Sequence, residues 1–115
     1  MINRYIIVDD FYNDPDTVVK VATDSLTEED APIGNFAGVM TKDSFLGEQH
    51  RDIFQKLTLE PALNSSTNAN GRIRFTKAND SFKFHIHYDV DMKTKWAGVV
   101  YLSKDHPKTD GTSFW

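Results

Sequence analysis

Apolar residues in this chain recur at helical spacing before Gly71 and alternate with polar ones after it, and this change of period limits the fold more than any other feature. On the N-terminal side, Asn13-Asp14-Pro15-Asp16 supplies a capping side chain, a proline preset for a first helical turn and an acid at the positive helix end. Val18, Val19, Ala22 and Leu26 then give this predicted helix one apolar face. A second helix is predicted from Ser44, as its cap, to Leu57, with Leu46, His50, Ile53, Phe54 and Leu57 on one side. Ahead of both, Tyr5-Ile6-Ile7-Val8 closed by Asp9-Asp10 reads as a short buried strand. Residues 27–43 hold Pro32, Gly34 and Gly38 and read as an irregular crossing, with an extended piece near Phe36 to Met40.

After Gly71 the pattern is that of strands. Ile73 and Phe75 alternate with Arg72, Arg74 and Thr76, while Phe82, Phe84 and Ile86 alternate with Lys83, His85 and His87, so two strands are expected to pair around Ala78-Asn79-Asp80. Trp96 to Leu102 reads as a nearly continuous apolar strand, and Gly111 to Trp115 as the start of another. The polar run Asn64 to Gly71 is a surface loop between the two halves. Helices followed by antiparallel strands predict an α+β or mainly β domain, a sheet or sandwich braced by helices.

Composition removes several classes of function. At 115 residues there is material for one domain. A net charge of −4 argues against nucleic acid as a partner. No apolar run approaches the roughly 20 residues of a membrane span. With no cysteine there is no disulfide, thiolate metal site or thiol nucleophile. The first residues, Met1-Ile2-Asn3-Arg4, do not read as a secretory signal, which makes the cytoplasm the default expectation.

Three side chains stand out chemically. On an extended strand His85, His87 and Asp89 project to one face, and imidazole beside carboxylate without sulfur suits a divalent metal of intermediate hardness. Chance supplies such spacing easily: shuffling this composition gives roughly 0.45 His-x-Asp triplets per chain. A polar sheet face with His87 hydrogen-bonded to Asp89 is the alternative reading. His50, on the apolar side of its helix, is expected to be a partly buried, hydrogen-bonded residue and not a ligand. His106 reads as a solvated loop residue, and Trp96 and Trp115 as packing residues.

Taken together, His87-Tyr88-Asp89, the run Trp96-Ala97-Gly98-Val99-Val100-Tyr101-Leu102 and Asp110-Gly111-Thr112-Ser113-Phe114 resemble the Fe(II)- and 2-oxoglutarate-dependent oxygenases of the prolyl-hydroxylase-like group, small phage-encoded members included. Ser103 stands where that family usually has Asn. The resemblance implies a double-stranded β-helix (a cupin-like jelly roll) braced by two N-terminal helices, with residues 1–63 as support and 71–115 as core strands of a single domain. It implies His87 and Asp89 as two iron ligands, Tyr101 directed at the 2-oxoglutarate carboxylate, and His85 as a supporting residue. The family's third ligand is a histidine past the Gly-Thr turn, followed by a basic residue for the distal carboxylate. This sequence has neither, since its last histidine is His106 and its last arginine Arg74. The resemblance therefore predicts an N-terminal portion of an oxygenase, weakly active or inactive alone, self-associating through exposed strand edges. Two other functions stay open: a non-catalytic β-rich binding or assembly module, and a metal-assisted hydrolase using His85, His87 and Asp89.

Overall fold

The computed structural model describes residues 5–26, 38–62, 70–77 and 95–105. In chain order these hold helix α1 (Pro15–Asp24), strand β1 (Val39–Met40), helix α2 (Glu48–Thr58) and strand β2 (Arg74–Phe75). The two strands form an antiparallel sheet.

Helix α1 begins where its local chemistry requires. Asp14 is the N-cap: its carboxylate accepts from the Thr17 amide at 3.2 Å and from the Thr17 hydroxyl at 2.6 Å, and Pro15 occupies the first turn. Its predicted inner face is the one the structure uses, with Ala22 fully buried and Val18, Val19 and Leu26 half-buried. At the far end the Ser25 hydroxyl donates to the Val21 carbonyl at 2.7 Å, satisfying one of the carbonyls that a helix terminus leaves open.

The seam between β1 and β2 joins the two halves of the chain. Val39 lies opposite Phe75 and Met40 opposite Arg74. The register continues past the strands, since the Thr41 amide donates to the Ile73 carbonyl at 2.9 Å and the Phe45 amide to the Gly71 carbonyl at 2.8 Å. Thr41 is wholly buried and fully used: its hydroxyl donates to the Asp43 carbonyl and accepts from the Ile73 amide, each at 3.0 Å, while its carbonyl accepts from Arg72 Nε. Met40 beside it is the largest buried side chain among the described residues. Gly38 and Gly71 bracket this seam with φ of 93° and 75°, a region that residues with a Cβ enter only at a cost. A Cβ on Gly38 would run into the Phe75 carbonyl, and one on Gly71 into the Leu46 and Ser44 side chains.

The seam also corrects the predicted start of α2. The Phe45 amide bonds the Gly71 carbonyl as part of the seam, and α2 starts after an N-cap at Gly47, three residues past the predicted cap at Ser44. Ser44 instead accepts from the Leu46 amide through its hydroxyl at 3.3 Å. The helix ends at Leu59, which takes the left-handed conformation (φ 57°) with its side chain in solvent.

Other expectations are overturned. The described residues contain two helices and one two-stranded sheet, not a jelly roll or double-stranded β-helix, and the expected set of core strands over 71–115 is reduced there to Arg74–Phe75. The partner of β2 among the described residues is β1, thirty-odd residues upstream (Thr41 to Ile73 is a separation of 32), whereas the expected partner around Ala78-Asn79-Asp80 lies outside them. Tyr5 to Val8 is not a buried strand: Tyr5 and Ile7 are 72% and 79% exposed. Trp96 to Leu102 is not a strand either, with Val99, Val100 and Tyr101 exposed. Both runs have the residue types of strands, but such propensity is a fit to a pleated, half-buried surface, and no described segment offers them one. The segment 95–105 is instead tied by its ends, with Lys95 3.4 Å from Glu60 and Lys104 2.7 Å from Asp16. No helix among the described residues is long and apolar enough to cross a membrane.

This packing sets three expected outcomes. Gly38→Ala should destabilise the fold by about 1–3 kcal/mol through backbone strain and the clash with Phe75, read from chemical denaturation. Thr41→Val, similar in shape, should cost about 1–3 kcal/mol because the Ile73 amide loses its hydroxyl acceptor inside the protein. The cap of α1 is linked to pH. Its hydrogen bonds to Thr17 hold the Asp14 carboxyl below the usual carboxylate range, so the cap contributes fully above that range and is lost as the pH falls through the lowered folded value. Acid titration followed by far-UV circular dichroism should show helix loss that is smaller in Asp14→Asn, which caps without titrating, while Asp14→Ala has reduced helicity throughout.

Candidate functional site

Of the residues that the sequence singles out, His85, His87 and Asp89 lie outside the described residues, as do His106 and Trp115. Tyr101, the expected cosubstrate contact, stands in the extended segment 95–105 with 57% of its surface exposed. Trp96 in the same segment is half-buried, in keeping with a packing role. No group of three or more His, Asp or Glu among the described residues is placed to hold a metal.

His50 has a defined setting, and it is the setting of a structural residue. It occupies the third position of α2, where its Nδ1 accepts from the Gly47 amide at 3.1 Å. This is the side-chain-to-N-cap half of a capping box, with imidazole in place of the usual Glu or Gln, and glycine at the cap has no side chain to return the bond. Because an amide nitrogen only donates, Nδ1 carries a lone pair, and the proton of the neutral ring is on Nε2. Nε2–H in turn donates to the Tyr12 hydroxyl at 2.9 Å, across 38 residues of chain.

One aromatic ring, that of Phe11, packs against both members of this pair. Phe11 meets Tyr12 edge-on at 5.0 Å between centroids and stacks on Phe54 at 6.0 Å and on His50 at 6.2 Å. Tyr12 meets the imidazole edge-on at 5.7 Å. Partial burial pushes the Tyr12 phenol up from its ordinary value, which keeps it a neutral hydrogen-bonding partner. Helical spacing puts His50 and Phe54 on one face, four residues apart, and the sequence shows that directly. The contribution of Phe11-Tyr12 has a weaker signature: two aromatics just before a capped helix, with nothing local for them to cover. Thr41 has none, since the groups that its amide, carbonyl and hydroxyl meet on Ile73 and Arg72 lie about thirty residues on.

Electrostatically the described surface is ordinary. Two ion pairs at the surface join segment 95–105 to Glu60 and Asp16, and the Asp16 carboxylate beside Lys104 raises that ammonium above its usual value. Such pairs orient a segment without contributing much stability.

What the arrangement does chemically is therefore specific about one histidine. With both ring nitrogens engaged, His50 has no lone pair to give a metal without breaking a bond to Gly47 or displacing Tyr12. The imidazoles left for chemistry are those of His85, His87 and His106. No family model, no curated protein and no solved structure matches the chain.

Proposed function

We propose that the chain carries part of a non-haem Fe(II) site of a 2-oxoglutarate-dependent oxygenase, with His87 and Asp89 as iron ligands. The observation that carries the reading is the string His87-Tyr88-Asp89 followed by Trp96 to Leu102 and Asp110-Gly111-Thr112. The reading rests on local donor spacing and not on a barrel architecture. The engagement of His50 with Gly47 and Tyr12 supports it indirectly by removing one competing imidazole.

The donor chemistry fits the metal. Imidazole and carboxylate together suit divalent iron, which when bound supplies the redox chemistry coupling keto-acid decarboxylation to C–H hydroxylation. For this chain's own residues the roles are narrower. His87 presents a neutral imidazole and Asp89 a carboxylate. His85, two positions earlier, supports them, because residues at this spacing share one side of an extended chain. Tyr101 directs its phenolic hydroxyl, as a hydrogen-bond donor, at a cosubstrate carboxylate.

The test is a titration with Mn(II), an air-stable probe of such sites, followed by electron paramagnetic resonance. Wild type is expected to bind. His87→Ala and Asp89→Ala should each weaken binding by more than about 10-fold, the low end of what losing even a supporting hydrogen bond costs a metal site. His85→Ala should leave binding in place. Equal loss in all three variants would favour the linear His85, His87, Asp89 cluster of a metal-assisted hydrolase. A wild-type chain that binds no metal would remove the oxygenase reading and leave a binding or assembly module.

A further inference from the structure

The geometry around His50 points to a proton-sensitive latch on the first turn of α2, the bond from the Gly47 amide to the imidazole, which opens when the ring takes up a second proton. Only the neutral ring with its hydrogen on Nε2 closes the latch. Nδ1 must accept from the Gly47 amide at 3.1 Å, and Nε2–H must face the Tyr12 hydroxyl at 2.9 Å. Protonation puts a second N–H against the Gly47 N–H, donor to donor, and that amide loses its partner. A second effect acts in the same direction. His50 lies in the first turn of α2, where the aligned peptide dipoles place partial positive charge, so an imidazolium there is repelled while a neutral ring is not.

The surroundings do little to offset these two effects. The rings packed on His50 are Phe11 and Tyr12 from the segment before α1, and of these only Tyr12 titrates; its phenol is pushed up by burial and brings no negative charge. Asp9 and Asp10 precede them in that segment. On α2 itself Glu48 and Arg51 flank the histidine with opposite charges, Asp52 comes next, and Phe54 is the neighbour one turn on. None of the ion pairs among the described residues joins a carboxylate to the His50 ring. The aromatic faces attract a cation weakly, which opposes opening but supplies no acceptor for Nδ1–H. Nε2–H keeps its bond to the Tyr12 hydroxyl in both charge states, so opening frees the Gly47 amide at the start of α2 and leaves the Phe11-Tyr12 segment attached.

The experiment uses the full chain. Imidazole nitrogen shifts from NMR at about pH 8 should report the Nε2–H tautomer for His50, and amide exchange at Gly47 should be protected there and lose protection toward about pH 5, the range in which histidines change charge. Over the same interval the thermal midpoint of wild type should fall more than that of His50→Gln, whose side-chain oxygen still accepts from Gly47 and does not titrate. A His50 ring protonated on Nδ1 at the higher pH, or Gly47 protection unchanged across the interval, would overturn the latch. An equal fall in both proteins would do the same. Should His50→Gln not fold, the tautomer and exchange measurements on wild type decide the matter alone.

Discussion

Closure of the chain at Thr41 is the constraint on which the rest of the described structure depends. Residues 38–45 and 71–75 are joined across α2, so the seam must bring together positions 32 residues apart before either half gains anything. Loop closure of this length costs little more than closure of a loop half as long, because the cost grows only with the logarithm of length. The return comes from groups that end up inside: a buried threonine with its amide, carbonyl and hydroxyl all bonded, and Met40 packed beside it. A polar residue at the centre of so small a core makes the seam specific. A hydrophobic residue would tolerate a slipped register, whereas Thr41 is satisfied only when Ile73 faces it.

The remaining segments are attached with different strengths. Phe11 and Tyr12 reach α2 through ring contacts and one hydrogen bond, interactions that exclude water and survive high salt. Segment 95–105 is tied by exposed ion pairs at Glu60 and Asp16, which ionic strength screens.

Legibility in the sequence divides along the same line between local and long-range causes. Helix α1 is legible almost to the residue, since its cap, proline and apolar face all lie within a dozen positions. The second helix is legible in its face but not in its start: Phe45, just ahead of it, takes part in the seam through Gly71 in another part of the chain, and no local signal shows that. His50 is legible as a bonded structural residue, though nothing near it in the chain names Tyr12 as its partner. Strand propensity misleads at Tyr5 to Val8 and Trp96 to Leu102: β-branched residues announce that a strand is possible, while pairing depends on a partner that the sequence does not name. The jelly roll expected from family resemblance fails for the same reason, as it requires many such partners at once.

That failure bears unequally on the parts of the functional reading. Two residues separated by one fall on the same side of any extended chain, whatever sheet it joins, so the His87 and Asp89 pair does not depend on a jelly roll. Enclosure does depend on it. A mononuclear iron site needs a third protein donor and walls that exclude water, and these come from tertiary structure, not from spacing. Among the described residues no three donors cluster, and His50, the one imidazole whose surroundings are defined, is committed to holding Tyr12 and Gly47. On the proposed reading metal binding and turnover are therefore separable: the first needs only two neighbouring donors, while the second requires a surface to close over them.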